Sequence, residues 1–404
     1  MVKALFLSLP LHGHTNPTLP LVRELVARGD HVTYFSSSAF QGRVEQAGAR
    51  YLPYRNAFLA NITRLPERMQ ELPWLLTRAT EDVLANELAA IRAERPDYIV
   101  TDSIAPWGHW VGQLLEVPVV TSVSTFAFNR RVMASALAQG ARPKSLRLAL
   151  SKMRHISKAI WLARRLRRQY GVPGPGITGL VFGRSDLNIV YTSRLFQPHA
   201  DTFDDRFEFV GPSLTPLEGT EALEPCDVSQ PPLVYVSLGT LFNADASFYR
   251  KCFTAFGPMN VRVIMSIGSN ISEESLGAPP ANFSIHAHVP QLEVLRRAAV
   301  FVSHGGMNSV SESLYCGVPL VVVPQMSEQA LIGHRVGALG AGVYLPKAEV
   351  TASTLHDAVA HVLAVDGFRV QVGVIRDSFL SAGGVARAAD AIADFTGAGD
   401  IVGA

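Results

Sequence analysis

The stretch Val300–Pro324, "VFVSHGGMNSVSESLYCGVPLVVVP", decides the fold of the chain. An apolar run ends at His304, two glycines and a small polar cluster follow, and a second apolar run closes the stretch. Two such runs joined by a helical segment are typical of a βαβ unit whose strands are covered on both faces. Ligands bind beyond the carboxyl ends of parallel strands, where a glycine turn leads into a helix N-terminus with free N–H groups. The pattern predicts a phosphate or diphosphate site at Gly305 and Gly306.

Two alternatives for this stretch need no ligand. Ser309 and Glu312 have the spacing of a helix capping box, in which each side chain bonds a backbone group at the helix start. His304 also fits an ordinary loop histidine, since glycine turns are common in βαβ units. Both alternatives stay open on this stretch alone.

Strand-like and helical segments alternate through both halves of the chain. The first alternation begins with "VKALFLSL" at Val2 and the second with "LVYVSLGT" at Leu233. The segment Gly211–Pro232 between them is rich in proline and acid and reads as a linker. We expect an α/β protein with a first domain over 1–210, a linker over 211–232 and a second domain over 233–385. A C-terminal helix over 386–404 is expected to pack back on the first domain.

Composition excludes several classes of protein. The 404 residues carry 36 Lys and Arg against 34 Asp and Glu, a net charge of +2 that does not indicate a nucleic-acid binder. The three cysteines lack metal-ligand spacing and favour a reducing compartment. The apolar N-terminal run is too short to span a membrane and has no small-residue cleavage site. We expect a soluble cytoplasmic protein.

The longer stretch His288–Gln329 resembles the donor-binding signature of family-one glycosyltransferases with the GT-B fold. The shared elements are Pro-Gln, His-x-Gly-x-Asn-Ser, a glutamate, Gly-Val-Pro and an acid–Gln pair. "GHTNPTLPL" near the N-terminus and "TDS" at Thr101–Ser103 resemble the bacterial branch that glycosylates macrolides and flavonoids. The resemblance implies two doubly wound, Rossmann-like domains that face each other across a cleft. The first would bind the acceptor and the second the nucleotide sugar.

The same resemblance implies a donor site made of groups for the base, the ribose, the diphosphate and the sugar. By role these are His288 and Val289 (uracil), Gln291 (beside them), Glu312 (ribose hydroxyls), His304, Gly306, Asn308 and Ser309 (diphosphate), Thr240 (second phosphate), and Glu328 and Gln329 (sugar hydroxyls). His288 stands where the family usually has tryptophan.

A histidine and an aspartate in the first half have the chemistry for glycosyl transfer. His14 follows the first strand, and a histidine titrating near neutral pH suits removal of an acceptor proton. Asp102 ends another strand of the same predicted sheet and suits an acid that orients the imidazole. The alternatives are a polar loop histidine and a helix N-cap. His12 is a rival base, but the resemblance places the catalytic histidine after the glycine, and His109 is expected in the core.

The expected reaction is inverting transfer of a hexose from a UDP-sugar, with glucose as the first expectation for the hexose. The expected acceptor is a hydroxyl of a small apolar natural product such as a macrolide, flavonoid or other phenolic. No cofactor is expected. The sequence holds no Asp-x-Asp motif, so we expect no metal, with a helix N-terminus and His304 facing the leaving diphosphate. Two other classes remain open: a UDP-sugar enzyme of the same fold such as an epimerase, and a non-catalytic nucleotide-sugar-binding protein. Candidate acceptor contacts, with core packing as the alternative for each, are Trp74, Phe126, Phe128 and Trp161.

A basic segment lies between Glu116 and Asp186, an interval without any acidic residue. Within the basic segment 130–168, the stretch "LRLALSKMRHISKAIWLARRLRRQY" reads as a basic amphipathic helix, which suits weak contact with an anionic membrane surface. The alternative is a solvated helix over the acceptor pocket, its charge balanced by acids elsewhere, such as those of the linker. The basic residues are Arg130, Arg131, Arg142, Lys144, Arg147, Lys152, Arg154, Lys158, Arg164, Arg165, Arg167, Arg168 and Arg184, and the linker acids are Glu218, Glu221 and Glu224.

Overall fold

The computed structural model of the protein describes residues 2–62, 71–138, 146–174, 185–214, 230–239, 243 and 245–397. The chain divides into two compact units. The first consists of Met1–Leu214 together with Ala382–Ala404, and the second of Thr215–Ser381. The first unit is therefore built from two separate segments of the chain. Most of the predicted linker lies outside the described residues.

A seven-stranded parallel sheet forms the centre of the first unit, in the order β3-β2-β1-β4-β5-β6-β7. Its strands are β1 (Lys3–Leu7), β2 (His31–Ser36), β3 (Arg50–Pro53), β4 (Tyr98–Asp102), β5 (Val119–Val123), β6 (Leu187–Val190) and β7 (Phe207–Phe209). Every residue of β4 and β6 is buried, as expected for a parallel sheet covered on both faces. Leu7 pairs with Thr101, so the carboxyl ends of β1 and β4 lie side by side.

Helices cover both faces of this sheet. In chain order they are α1 (His12–Thr15), α2 (Thr18–Ala27), α3 (Gln41–Gln46), α4 (Ala57–Asn61), α5 (Leu72–Asn86), α6 (Leu88–Glu94), α7 (Pro106–Leu115), α8 (Arg130–Ala138) and α9 (Leu146–Tyr170). Helix α5 packs against α7 and α9. Trp107 and Trp110 of α7 are among the largest fully buried side chains and belong to the same core cluster as Leu162 and Leu166 of α9.

The second unit repeats the arrangement with a six-stranded parallel sheet in the order β10-β9-β8-β11-β12-β13. Its strands are β8 (Leu233–Ser237), β9 (Arg262–Ser266), β10 (Phe283–His286), β11 (Val300–Ser303), β12 (Leu320–Val322) and β13 (Gly342–Tyr344). Its helices are α10 (Ala246–Phe256), α11 (Gln291–Leu295), α12 (Met307–Tyr315), α13 (Ser327–Ala338), α14 (Ala352–Ala364) and α15 (Gly367–Leu380). The opening stretch of sequence therefore forms β11, α12 and β12.

A final helix, α16 (Gly384–Thr396), belongs to the first unit and packs on α2. Its Ala388 and Ile392 are buried in the same core as Leu21 and Val22 of α2. The first unit thus takes part of its hydrophobic core from the end of the chain.

In each sheet the strand order reverses direction once, between β1 and β4 and between β8 and β11. In open α/β sheets ligands bind beyond the carboxyl ends of the strands at such a switch point.

The described residues include no single helix that is long and apolar enough to cross a membrane, although the pair Ala352–Ala364 and Gly367–Thr396, bent by 73°, has the length and composition to do so.

Candidate functional site

The switch point of the first unit brings His14 and Asp102 together. His14 lies on α1, the short helix after β1, and Asp102 is the last residue of β4. The Nδ1 atom of His14 lies 2.8 Å from Oδ2 of Asp102, with side chains 13% and 0% exposed. An ionised carboxylate only accepts hydrogen bonds, so Nδ1 carries the hydrogen and Nε2 keeps its lone pair. This tautomer is the one that a general base needs.

The backbone fixes the carboxylate of Asp102. The N–H of Ile104 donates to Oδ1 over 2.8 Å, which leaves Oδ2 for the histidine. Helix α7 has Ala105, not Asp102, as its N-cap residue. The helix-cap alternative for Asp102 is therefore wrong.

A further partner of His14 was missed by sequence reasoning. The hydroxyl oxygen of Ser124 lies 3.0 Å from Nδ1 of His14. Ser124 follows the last residue of β5, the strand next to β4, so it reaches the same edge of the sheet. Its position at a strand end is the only signal that the sequence offers, and many serines share it.

The two other histidines considered as rivals have different surroundings. Nδ1 of His12 lies 3.3 Å from Nη1 of Arg43, and its ring meets Phe40 edge-on. Burial, then the charge of Arg43, lowers the pKa of His12. His109 lies within α7, where burial lowers its pKa to about 4, and its Nε2 has no hydrogen-bond partner among the described residues.

The switch point of the second unit carries the glycine turn of the opening stretch. Gly305 has φ of +84°, the left-handed region that favours glycine, and Gly306 is the N-cap of α12. Gly306 has no side chain that could cap the helix, and among the described residues no side-chain acceptor is seen at its first N–H groups. Because α12 begins at Met307, Ser309 and Glu312 lie inside the helix and form no capping box. The capping-box alternative is wrong, and the turn has the open helix start that suits an anion.

The ring of His304 lies between two glycines. A Cβ atom placed on Gly306 would come within 2.4 Å of Nε2, and one on Gly239 within 2.5 Å of Cε1. Burial lowers the pKa of His304 to about 4, and its Nδ1 has no hydrogen-bond partner among the described residues. The imidazole is therefore neutral at pH 7 and offers a hydrogen bond rather than a positive charge.

Gln291 connects the groups predicted to bind the nucleoside. Its Nε2 donates to Oε2 of Glu312 over 2.7 Å and to Oγ of Ser309 over 3.3 Å. The hydroxyl of Tyr235, a residue that sequence reasoning missed, donates to Oε1 of Gln291 over 3.1 Å. Burial raises the pKa of Glu312, and the hydrogen bond from Gln291 partly offsets this. Glu312 is thus a half-buried carboxyl group held in place by one amide.

The residues predicted at the uracil lie on the segment between β10 and α11. His288 is exposed, and its Nε2 lies 2.9 Å from the hydroxyl of Ser269. Val289 is half-buried. The predicted phosphate ligand Asn308 is half-buried in the first turn of α12, and Thr240 lies outside the described residues.

The predicted sugar ligands Glu328 and Gln329 both lie in the first turn of α13. Glu328 is exposed, whereas Gln329 is buried. Oε1 of Gln329 accepts the backbone N–H groups of Gln325 over 2.7 Å and of Met326 over 3.1 Å. The side-chain oxygen of Gln329 therefore caps its own helix.

The four aromatic acceptor candidates occupy different surroundings. Phe126 is 2% exposed, and its ring centroid lies 5.6 Å from that of Phe196, so it is a core residue. Trp74 and Phe128 are half-buried, and Nζ of Lys158 lies over the ring of Trp74. Trp161 of α9 is exposed. The core alternative fits Phe126.

The two sheets, each with its polar groups at the switch point, define a two-domain α/β protein of the GT-B class, the fold predicted from the sequence. Residues 250–394 match the family model described as the C-terminal domain of erythromycin biosynthesis protein CIII-like proteins. NDP-glycosyltransferase YjiC of Bacillus subtilis (strain 168) is 39% identical to this chain over 96% of both lengths. The uncharacterized UDP-glucosyltransferase YojK of the same strain is 30% identical over 97% of both.

Among solved structures, that of the calicheamicin glycosyltransferase CalG4 superposes with a TM-score of 0.80, at 30% identity over 98% of both chains. Identity at this level over nearly the whole chain confirms the family resemblance of the sequence. The chain belongs to the family-one NDP-glycosyltransferases.

Proposed function

We propose that the protein is an inverting glycosyltransferase that moves glucose from UDP-glucose to a hydroxyl of a small apolar natural product. His14 Nε2 takes the proton of the acceptor hydroxyl as that oxygen attacks the anomeric carbon. The bond between the anomeric carbon and the diphosphate oxygen breaks, and UDP leaves with the electron pair. Attack opposite the leaving group turns an α-linked donor into a β-glycoside.

The contact between His14 and Asp102 carries this proposal. It sets the tautomer in which Nε2 of His14 carries the lone pair, and Asp102 stabilises the imidazolium that forms when the proton is taken. A UDP-sugar epimerase acts on one nucleotide sugar and needs no acceptor alcohol to be deprotonated. A pure binding protein needs no such pair at all. The geometry therefore favours transfer over both alternatives.

The proposed donor rests on the half-buried Glu312 and on a relative. A carboxylate at that position accepts hydrogen bonds from the two hydroxyls of a ribose, of which deoxyribose has only one. The relative YojK is named a UDP-glucosyltransferase. In our proposal the open start of α12 and the neutral His304 hold the diphosphate. Thr240 contacts the second phosphate, and His288 contacts the base. Glu328 and the NH₂ group of Gln329 bind the sugar.

The proposed acceptor class follows from the relatives. The matched family model is named for erythromycin biosynthesis, and CalG4 is named for calicheamicin. We therefore propose macrolides, flavonoids and other phenolics as acceptors. We further propose that the reaction needs no metal and that the protein works in the cytoplasm, where its buried free thiols Cys252 and Cys316 stay reduced.

One experiment separates the three functions. The protein is incubated with UDP-glucose and a broad acceptor panel, and products are read by mass spectrometry. A gain of one hexose on an acceptor supports transfer, and an unchanged rate in EDTA supports a metal-free reaction. Conversion of UDP-glucose to another UDP-hexose without acceptor supports an epimerase. Tight UDP binding without either product supports a binding protein and rejects the proposal.

We also propose that α9 contacts anionic membrane surfaces. Its outer side carries two large exposed apolar side chains, Met153 at 67% and Trp161 at 61%. Exposed cations surround them: Arg154, Lys158, Arg164, Arg165 and Arg168. Arg165 is balanced by Glu81 of α5 and lies over the ring of Trp161. Of the other basic residues, Arg142, Lys144 and Arg184 lie outside the described residues, as do the side chains of Arg147 and Lys152.

Each basic residue near an anionic bilayer adds about 1 kcal/mol, screened by salt. The test is co-sedimentation with phosphatidylserine-containing and with neutral vesicles, at low and physiological salt. Binding to the anionic vesicles alone is expected, weakened by salt and by Arg164→Glu. The matched control is Arg369→Glu, an exposed arginine on α15. Equal sedimentation with both lipids at low salt rejects the surface.

A further inference from the structure

Ser124 is the second oxygen within hydrogen-bond distance of Nδ1 of His14. Its Oγ lies 3.0 Å from Nδ1, and Asp102 Oδ2 lies 2.8 Å from the same atom. Both side chains are buried. They come from two neighbouring strands, because Asp102 ends β4 and Ser124 follows β5.

The hydrogen positions follow from the chemistry of the three groups. If Ser124 donated to Nδ1, that nitrogen would present a lone pair to the carboxylate of Asp102, which is repulsive at 2.8 Å. Nδ1 therefore carries a hydrogen that points between two acceptors. The hydroxyl oxygen of Ser124 accepts the weaker branch, and its own hydrogen points away from the ring.

We propose that Ser124 is a positioning residue for His14, a proposal that rests on His14 being the base of the proposed transfer. With one acceptor the imidazole is free to swing about the line from Nδ1 to Asp102. With two acceptors from different strands its plane is fixed, and so is the direction of the Nε2 lone pair. When His14 becomes imidazolium, both oxygens face the positive Nδ1–H and stabilise it.

Ser122 offers a matched comparison on the same strand. Ser122 is also buried and lies two residues before Ser124. Its hydroxyl donates to the hydroxyl of Tyr191 over 3.3 Å, not to His14. Other titratable groups described near the pair are His12 with Arg43, and the phenols of Tyr34, Tyr54 and Tyr191, whose pKa values burial raises. These phenols stay neutral over the working pH range, so the acidic limb of the rate profile reports on His14.

The experiment uses the full-length protein and the variants Ser124→Ala, Ser124→Thr, Ser124→Cys and Ser122→Ala. For Ser124→Ala we expect kcat to fall about three- to tenfold, with the donor KM nearly unchanged. Loss of an acceptor for Nδ1–H destabilises imidazolium, so the acidic limb should move to lower pH by roughly half a unit. Ser124→Thr keeps the hydroxyl and should restore the rate. Ser122→Ala should behave as wild type.

A second readout does not depend on turnover. ¹⁵N-histidine NMR reports the tautomer and the pKa of His14 directly, with the signal assigned by its loss in His14→Gln. We expect hydrogen on Nδ1 in the wild type and a lower His14 pKa in Ser124→Ala. Ser124→Cys, whose sulfur is a weak acceptor, gives the same comparison if the alanine variant does not fold.

An unchanged His14 pKa in both Ser124→Ala and Ser124→Cys overturns the positioning role. A raised donor KM with an unchanged kcat and an unchanged acidic limb of the pH–rate profile also overturns it, because Ser124 would then contact the donor. If the wild type transfers no sugar but the NMR shift is present, the proposed function fails while the contact to His14 stands.

Discussion

Nδ1 of His14 and Oδ2 of Asp102 lie 2.8 Å apart although 88 residues separate them in the sequence. The parallel pairing of β1 with β4 makes this contact, because it places the ends of both strands at one edge of the sheet. His14 lies on the short helix after β1, and Asp102 is the last residue of the buried strand β4. The pair is therefore set by the core of the first unit.

Removal of the base should nearly abolish transfer. His14→Ala loses the group that takes the acceptor proton, and kcat should fall by about 10²–10⁴-fold. UDP affinity, measured by calorimetry, should not change, because the proposed nucleotide ligands belong to the second unit. The matched control is His12→Ala on the same helical turn, which should keep near wild-type activity. Similar losses in both variants would point to damage to α1 rather than to a lost base.

Asp102→Asn should place the proton of His14 on the wrong nitrogen. The N–H of Ile104 holds the oxygen of the new amide, as it holds Oδ1 now, so the NH₂ group faces Nδ1. An N–H donor at that position requires a lone pair on Nδ1 and puts hydrogen on Nε2. We expect kcat to fall on the order of 10²–10⁴-fold while the unfolding midpoint stays close to wild type. Wild-type kcat would rule out the orienting role.

Glu312 should make the enzyme prefer ribose over deoxyribose. A hydrogen bond to a charged acceptor contributes about 1.5–3 kcal/mol, so kcat/KM for UDP-glucose should exceed that for dTDP-glucose by roughly 10–150-fold. Glu312→Gln should lower kcat/KM for UDP-glucose about tenfold and narrow this ratio. Glu293→Gln, an exposed acid on α11, is the control. Equal kcat/KM for the two donors in the wild type would contradict the role of Glu312.

Thermal unfolding of Glu312→Gln separates lost binding from lost folding. Burial raises the pKa of Glu312, so its contribution to stability is present at low pH and is lost as pH rises through that raised value. At neutral pH the ionised group opposes folding, and the glutamine variant should unfold at the same or a higher temperature. Lower activity with unreduced stability is the expected combination.

A methyl group at Gly306 should damage the donor site through His304. The added Cβ would lie 2.4 Å from Nε2 of His304, a half-buried residue whose ring also packs closely against Gly239. Gly306 itself has an ordinary φ of −65°, so the backbone accepts alanine and the effect comes from the ring. We expect UDP affinity to fall about tenfold in Gly306→Ala, for the loss of one or two hydrogen bonds. Gly373→Ala in α15, where a Cβ meets nothing within 4 Å, should instead raise stability by up to about 1 kcal/mol.

The protein should lose stability as pH falls below 6.5. Burial lowers the pKa of His109 and of His304 to about 4, so the folded chain resists protons that the unfolded chain takes up. A depressed histidine pKa contributes stability that is present above the unfolded value and is lost as pH falls toward the folded value. At pH 5 each should cost roughly 2 kcal/mol. The difference between the unfolding midpoints at pH 7 and pH 5 should be smaller in His109→Gln and in His304→Gln than in the wild type. The exposed control His31→Gln should keep the wild-type difference.

The sequence predicts the features that depend on strand ends. Apolar runs mark where parallel strands stop, and a parallel sheet brings these stops to one edge, so His14, Asp102 and the glycine turn could be located without coordinates. The family resemblance supplied the ligand roles, which stay predictions here. Helix starts were less predictable: Ser309 and Glu312 have the spacing of a capping box, yet α12 begins at Met307.

The contacts of single polar side chains were beyond sequence reasoning. Ser124 directly follows a strand and Tyr235 lies within one, and nothing in the sequence shows that the first contacts His14 and the second Gln291. Gln329 fits a sugar ligand by motif, but its oxygen caps a helix because two backbone N–H groups reach it first. Phe126 is an aromatic residue of the kind that lines acceptor pockets, but it packs in the core against Phe196. Such burial is set by residues far away in the chain, which the local sequence does not reveal.

The position of α16 sets an order of events during synthesis. Ala388 and Ile392 complete the core of the first unit, but they leave the ribosome after every residue of the second unit. The second unit can close its sheet while the chain is still being made, whereas the first must wait, with the face of α2 uncovered, for the last helix. Domains usually fold from the N-terminus onward during translation. Residues made before the second unit therefore belong to the unit that finishes last, and a nascent chain stalled before Gly384 would carry a second unit with its sheet complete and a first unit that lacks α16.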